Sequence, residues 1–157
     1  MFREMRKKSR EISREESIKI LEKCDEGVLS TIGENGYPYG VTVNYVYVND
    51  CIYFHSATKG HKLDNIAYNN KVSFSIMDDI TILPDKFSTL YSSVIVFGEA
   101  SLVDDDEKKF ALLELIKKYS PEFLESGKVY IEKAAKATNV VKIEINHLTG
   151  KSNNPNN

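Results

Sequence analysis

The chain has 157 residues, of which 41% are hydrophobic and 28% charged, with a formal net charge of −2. Length and composition suit one globular domain with a sizeable core rather than a disordered chain. The near-neutral balance argues against a large nucleic-acid footprint, no apolar run reaches the length of a membrane span, and the basic N-terminus lacks the apolar stretch of a secretory signal.

Residues 1–12 carry Arg3, Arg6, Lys7, Lys8 and Arg10 against Glu4 and Glu11, and read as a charged, solvated arm in preference to one reaching a neighbouring subunit or an anionic ligand. Ser13 and Glu16 have the S-x-x-E spacing of a capping box, predicting a helix to about Cys24 with Ile18, Leu21 and Cys24 on one face. The period then changes. "GVLSTI" (27–32) is a short apolar strand, and Asn35-Gly36 has the sequence of a two-residue hairpin turn. "YPYGVTVNYVYV" (37–48) is rich in β-branched and aromatic residues and predicts one long strand. Asn49-Asp50 marks the next turn, and "CIYFH" (51–55) a third strand of an antiparallel meander.

A short helix over 61–69 and a strand over 71–77 follow, then a loop over 78–89 containing Pro84. Residues 90–103 predict another long strand, with Gly98 at a bulge or bend. Aspartates 104–106 cap a helix over roughly 105–119, whose Phe110, Leu112, Leu113 and Ile116 face the core. Ser120-Pro121 starts a short helix, residues 130–137 read as helical, and "TNVVKIEIN" (138–146) is a final strand. Residues 152–157 form a polar tail. About six strands without a strand-helix-strand repeat point to an antiparallel barrel with peripheral helices, not a parallel sheet.

The chain has three histidines, His55, His61 and His147, and none falls in a metal-binding spacing. Cys24 and Cys51 match neither a metal motif nor a disulfide framework, so a reduced, cytoplasmic setting is expected. No G-x-S-x-G is present, and neither cysteine has a nucleophile signature. "YFHSATKGHKLDNI" (53–66) sets two of the three histidines around a glycine and a lysine, between a strand and a helix. Gly60-His61-Lys62 opening a helix would place free N–H groups and two basic side chains around an anion, and the same step also suits a plain surface turn. His55 reads equally as a strand-end histidine. Thr42, Asn44, Ser92 and Ser93 interrupt apolar strands; they mark a wet face or line a polar ligand.

The segments "GVLSTIGENGYPYGVTVNYVY", "IYFHSATKGHKLDNI", "YSSVIVFGEA" and "VVKIEINHLTGK" together resemble the pyridoxamine-phosphate-oxidase-related flavoproteins, closest to the 5-nitroimidazole resistance (Nim-type) branch. The likeness runs from Arg6 to Lys151. It implies a split barrel over residues 13–151, a six-stranded antiparallel Greek key with helices outside, assembled as a homodimer with two FMN sites at the subunit interface. It places Val41, Thr42, Val43 and Asn44 along the flavin ring, His55 and Ser56 near the ring and ribityl chain, and His61 and Lys62 at the phosphate. Ser92 and Ser93 take the place of the partner-chain contribution, where the oxidase proper has an arginine and a glutamine. That departure, and a histidine in place of the oxidase's basic phosphate cluster, argue against pyridoxamine-phosphate oxidation.

The activity implied is FMN-dependent reduction of small electron-poor compounds, a nitro group being carried to the amine, with His55 as proton donor or substrate orienter. With no G-x-G-x-x-G, a nicotinamide donor has to bind on the flavin face. Similar split barrels bind haem, which gives a second reading: a haem-binding or sensing protein with His55 or His147 as axial ligand. A flavin-binding stress protein without a dedicated substrate is the third.

Overall fold

The computed structural model describes residues 1–154. Its first half contains β1 (Glu11–Ile12), α1 (Arg14–Lys23), β2 (Glu26–Ile32), β3 (Pro38–Asn44), β4 (Val46–Val48), β5 (Cys51–Ala57) and α2 (His61–Tyr68). Its second half contains β6 (Lys71–Leu83), β7 (Ser88–Leu102), α3 (Asp105–Tyr119), α4 (Leu124–Ala134) and β8 (Thr138–Ser152). One antiparallel sheet runs β3-β2-β6-β7-β8-β5-β4, with β1 added beside β8. The α2 crossover carries the chain from β5 to β6, beside β2, and the link from β3 to β4 brings the two ends of the sheet together. This is the split barrel, with eight strands among the described residues where six were expected.

Alternation along the strands fills the interior. Leu29, Phe74, Val94, Val96, Ile52, Phe54, Val141 and Ile143 are almost fully buried, and α1 closes one end with Leu21 and Ile20. The predicted capping box starts α1: Ser13 Oγ accepts from Glu16 N at 3.2 Å, and Glu16 Oε2 accepts from Ser13 N at 2.7 Å. A second apolar cluster lies under α3, around Val46, Tyr53, Ala111, Leu115 and Val140.

The extra strands have physical causes. The predicted strand over 37–48 breaks at Tyr45, whose ring is fully buried. Its phenol donates to Leu21 O at 2.7 Å, and its N–H donates to the Tyr119 hydroxyl at 3.0 Å, so its backbone leaves the ladder and the chain turns a corner. At the N-terminus Glu11 and Ile12 pair with Lys151 and Gly150, so the arm is not wholly solvated. Phe2 stacks on His147 at 4.6 Å and on Phe97 at 5.3 Å.

Three further expectations change. Residues 78–89 are not a loop: β6 and β7 continue as a hairpin to Leu83 and Ser88, past a register shift at Asp78/Thr81. The last strand continues beyond residue 146 to Ser152, so His147 sits within a ladder rather than at the border of a tail. Asn153 is bonded to both Tyr91 and Thr89, and residues 155–157 of the predicted tail lie outside the described residues. The hairpin at residues 33–37 forms, but only Gly36 has positive φ; Asn35 acts through its side chain, accepting from Tyr37 N at 3.0 Å. Gly98 does lie at a bulge, where a Cβ would come within 2.3 Å of Glu144 O.

Candidate functional site

β3 and β5 run antiparallel on either side of the split. Among the described residues β3 is paired only with β2, while β5 pairs with β8 throughout and with β4 only at Cys51–Tyr53. Beyond Tyr53 the two strands therefore face each other without a ladder. One end of the gap is marked by the rings of Tyr39 and His61, 4.0 Å apart. The other end is marked by Asn44 and His55, which both line a cavity of about 370 Å³. At about 3.3 Å per residue, Tyr39 and Asn44 stand roughly 16 Å apart. The split suits an elongated ligand with different chemistry at its two ends.

The His61 end is cationic. Gly60, at φ 145°, ends the loop in a conformation that side chains disfavour, and its carbonyl accepts from Leu63 N and Asp64 N at 2.8 and 3.1 Å. The N–H groups of His61 and Lys62, which open α2, have no acceptor within the helix, so they and the Lys62 and His61 side chains suit an anion. Asp64 sits in the same turn, so the cationic character rests on Lys62 and the backbone N–H groups, with the His61 ring as a further hydrogen-bonding group. The helix is held by Asn65, 4% exposed, whose Nδ2 donates to the buried Thr31 Oγ1 at 3.0 Å.

The sequence-predicted residues divide by direction. Thr42, Asn44, His55 and His61 are exposed, and Lys62 is half-buried. Val41 and Val43 turn their side chains onto the core and leave only backbone at the gap. Ser56 points inward, 9% exposed, and donates to Ala57 O at 2.9 Å. Ser92 is buried and bonded to Ser152 at 3.0 Å, so its hydroxyl lies inside the barrel and not on the face assigned to a partner's flavin. Ser93 does lie on the outer face, in a shallow cleft with Ile95, Phe97, Thr149 and Lys151, beneath Arg3 and Met5. His147 is on that outer face too, under Phe2, and not among the residues around His55.

The structure adds residues that periodicity had marked as core or had not marked at all. Leu112, Leu115 and Ile116 of α3, with Tyr130, Ile131 and Ala134 of α4, wall the cavity beside His55. Tyr119 fixes this wall to the corner: its hydroxyl contacts the carbonyls of Asp25 and Tyr45 and accepts from Tyr45 N. Burial pushes its phenol pKa up, so it stays protonated. Lys118 Nζ donates to the Cys24 and Tyr45 carbonyls and lies 4.3 Å from the Tyr45 ring centre; desolvation holds its pKa below the ordinary lysine value.

Residues 13–152 match the family model described as pyridoxamine 5'-phosphate oxidase. The chain belongs to this family. No curated protein matched in a separate search. Among solved structures, the fold is shared with a candidate 5-nitroimidazole antibiotic resistance protein from Bacteroides thetaiotaomicron, at 24% identity and TM-score 0.78, covering 90% of this chain and 85% of that one. It is also shared with an FAD and haem binding protein from Mycobacterium smegmatis, at 20% identity and TM-score 0.79, covering 90% and 72%. The flavocytochrome Anf3 from Azotobacter vinelandii gives 20% identity and TM-score 0.81, covering 96% and 72%. No helix among the described residues is long and apolar enough to cross a membrane.

Proposed function

We propose that the protein is an FMN-dependent reductase of small electron-poor compounds, nitroaromatics among them. The observation that carries this reading is the split itself, with a cationic helix start beside Tyr39, an open stretch of β3 running roughly 16 Å from Tyr39 to Asn44, and a histidine-lined cavity beside Asn44. The phosphate would sit at the helix start and the ribityl chain and ring would run along the backbone of residues 41–44, which leaves the cavity beyond the ring open to an acceptor. Lys62, His61 and the first N–H groups of α2 would hold the phosphate, and the backbone of residues 41–44 offers donors and acceptors along the ring's polar edge. When bound, the flavin supplies the electrons. His55, exposed on β5 and facing the cavity, orients the acceptor and gives it a proton.

A homodimer belongs to the same proposal. The outer face carries one cross-strand row of Thr42, Val28, Ser75, Ile95 and Thr149 and a second of Gly40, Ser30, Ser73, Phe97 and His147. Val28, Ile95 and Phe97 are each about two-fifths exposed (39%, 43% and 39%). Thr42 heads the first row, so a second copy on this face would border the split and bring its own Ser93 toward it.

The names of two structural neighbours support a second reading, in which haem is bound by His55. His147 is the weaker ligand, because Phe2 covers it. Purified protein should show the flavin spectrum, release FMN on denaturation and elute at about twice the chain mass. His55→Ala should keep fold and flavin content but lose about 10²-fold in nitroreduction per bound flavin. A haem band in the parent that disappears in His55→Ala would replace the flavin reading with the haem one.

A further inference from the structure

The two ends of the split differ in a way that bears on the acceptor. The His61 end offers cationic groups. The cavity at the His55 end is walled by Leu112, Leu115, Ile116, Ile131 and Ala134, with polar atoms from Asn44, His55, Tyr119, Ser120, Tyr130 and Thr138. Among the described residues, no lysine, arginine, aspartate or glutamate lines it. Its shape is set by close packing of the two helices: Gly127 of α4 lies so near Ile116 of α3 that a Cβ there would come within 2.8 Å of it. Tyr130, 68% exposed, stands on the solvent side of this wall.

We infer that this cavity is the acceptor site and that it selects flat, uncharged aromatic or heteroaromatic molecules over anionic ones. The role as acceptor site rests on the flavin reading above. An apolar wall desolvates whatever enters, and a carboxylate there finds no fixed cation to offset its lost hydration. An uncharged ring keeps its apolar faces against α3 and α4. Its polar substituent reaches the His55 imidazole and the Asn44 amide, which can donate to a nitro or carbonyl oxygen. The volume of about 370 Å³ is at the small end of ligand sites, so bulky polycyclic compounds are excluded as well.

The test is calorimetric titration of the FMN-loaded protein. The probes are 2-methyl-5-nitroimidazole and its N1-carboxymethyl analogue. The carboxymethyl probe should bind at least tenfold more weakly. Ala134→Trp, which fills the cavity from α4, should weaken the neutral probe at least tenfold while flavin content and melting temperature hold. If Ala134→Trp fails to fold, Ile116→Trp fills the cavity from α3 and carries the same expectation. Equal binding of the two probes overturns the selectivity, and parental binding in a folded filled variant overturns the location. Flavin absorbance of the same preparations separates the two claims. Loaded protein that binds neither probe refutes the cavity assignment and leaves the cofactor reading standing. Protein that cannot be loaded refutes the cofactor reading, and the acceptor role with it.

Discussion

Asn65 is the joint between α2 and the barrel, and Asn65→Ala tests whether that joint positions the anion end of the split. The side chain is 4% exposed, and its bond to Thr31 Oγ1 is 3.0 Å long. Its loss removes a net ~1 kcal/mol and leaves the buried Thr31 hydroxyl incompletely paired, for about 1–2 kcal/mol more. Thr31 then keeps only a long 3.5 Å contact to Tyr39 O. Alanine's better helix propensity returns roughly 0.5 kcal/mol. The expected net cost is about 2 kcal/mol, a fall in Tm of roughly 4–8 °C for a chain of this size. Thr31→Val alone should cost about 1–3 kcal/mol by orphaning the Asn65 amide. The double variant should cost less than the sum by about 1 kcal/mol, because neither polar partner remains. Denaturant melts of all four proteins give the cycle. FMN and riboflavin titrations give the functional arm, in which FMN alone should weaken as the helix start loosens. A Tm within about 1 °C of the parent, or strict additivity, would refute the joint.

Lys62→Ala should weaken FMN by about 10- to 100-fold, the value of one charge-assisted phosphate contact, and barely change riboflavin; equal losses for both would remove Lys62 from the phosphate. Gly98→Ala should destabilise by about 1–3 kcal/mol or more, read by denaturant melts, because its Cβ would lie 2.3 Å from Glu144 O and 2.7 Å from Ile143 Cγ2. Stability should fall as pH rises above about 10, since burial chiefly holds the Tyr45, Tyr47 and Tyr53 phenols above the ordinary 10.0, Tyr47 at about 12. Between those values the unfolded chain has released protons that the folded chain still holds, so each added pH unit favours unfolding. Tyr47→Phe should make the alkaline decline shallower, and an unchanged slope in pH-dependent melts would disprove its share.

Local rules were legible where one residue type enforces one geometry. The capping box at Ser13 and Glu16, the turn at Asn49-Asp50 with both φ positive, the bulge at Gly98 and the helix start after Gly60 could all be read in the sequence. The break at Tyr45 could not, because tyrosine favours strands and its departure is imposed by bonds to Leu21 and Tyr119, remote in the chain. Asp78, Asp79 and Pro84 disguise the β6–β7 hairpin as a loop, although Asp78 and Asp79 both pair with Lys23 in the fold. Ser92 was readable in hindsight: it shares parity with Val94 and Val96, which point inward, whereas Ser93 shares parity with Ile95 and Phe97. The cavity wall on α3 and α4 was not, since helical periodicity marks an apolar face without saying whether it meets packed core or a void.

The gap between β3 and β5 also bears on how the chain survives before it is filled. Residues 37–48 contain no charged side chain, and among the described residues β3 is paired along one edge only. An uncharged, β-branched strand with an open edge is a template for other chains, and Pro38 at its start is the one residue here that blocks a donor. A ligand seated in the gap shields that edge and, by binding only the folded state, shifts the population away from aggregation-prone forms. On the proposed flavin reading, FMN supplied during synthesis should therefore raise the yield of soluble protein, and the empty barrel should be the form cleaved first in limited proteolysis.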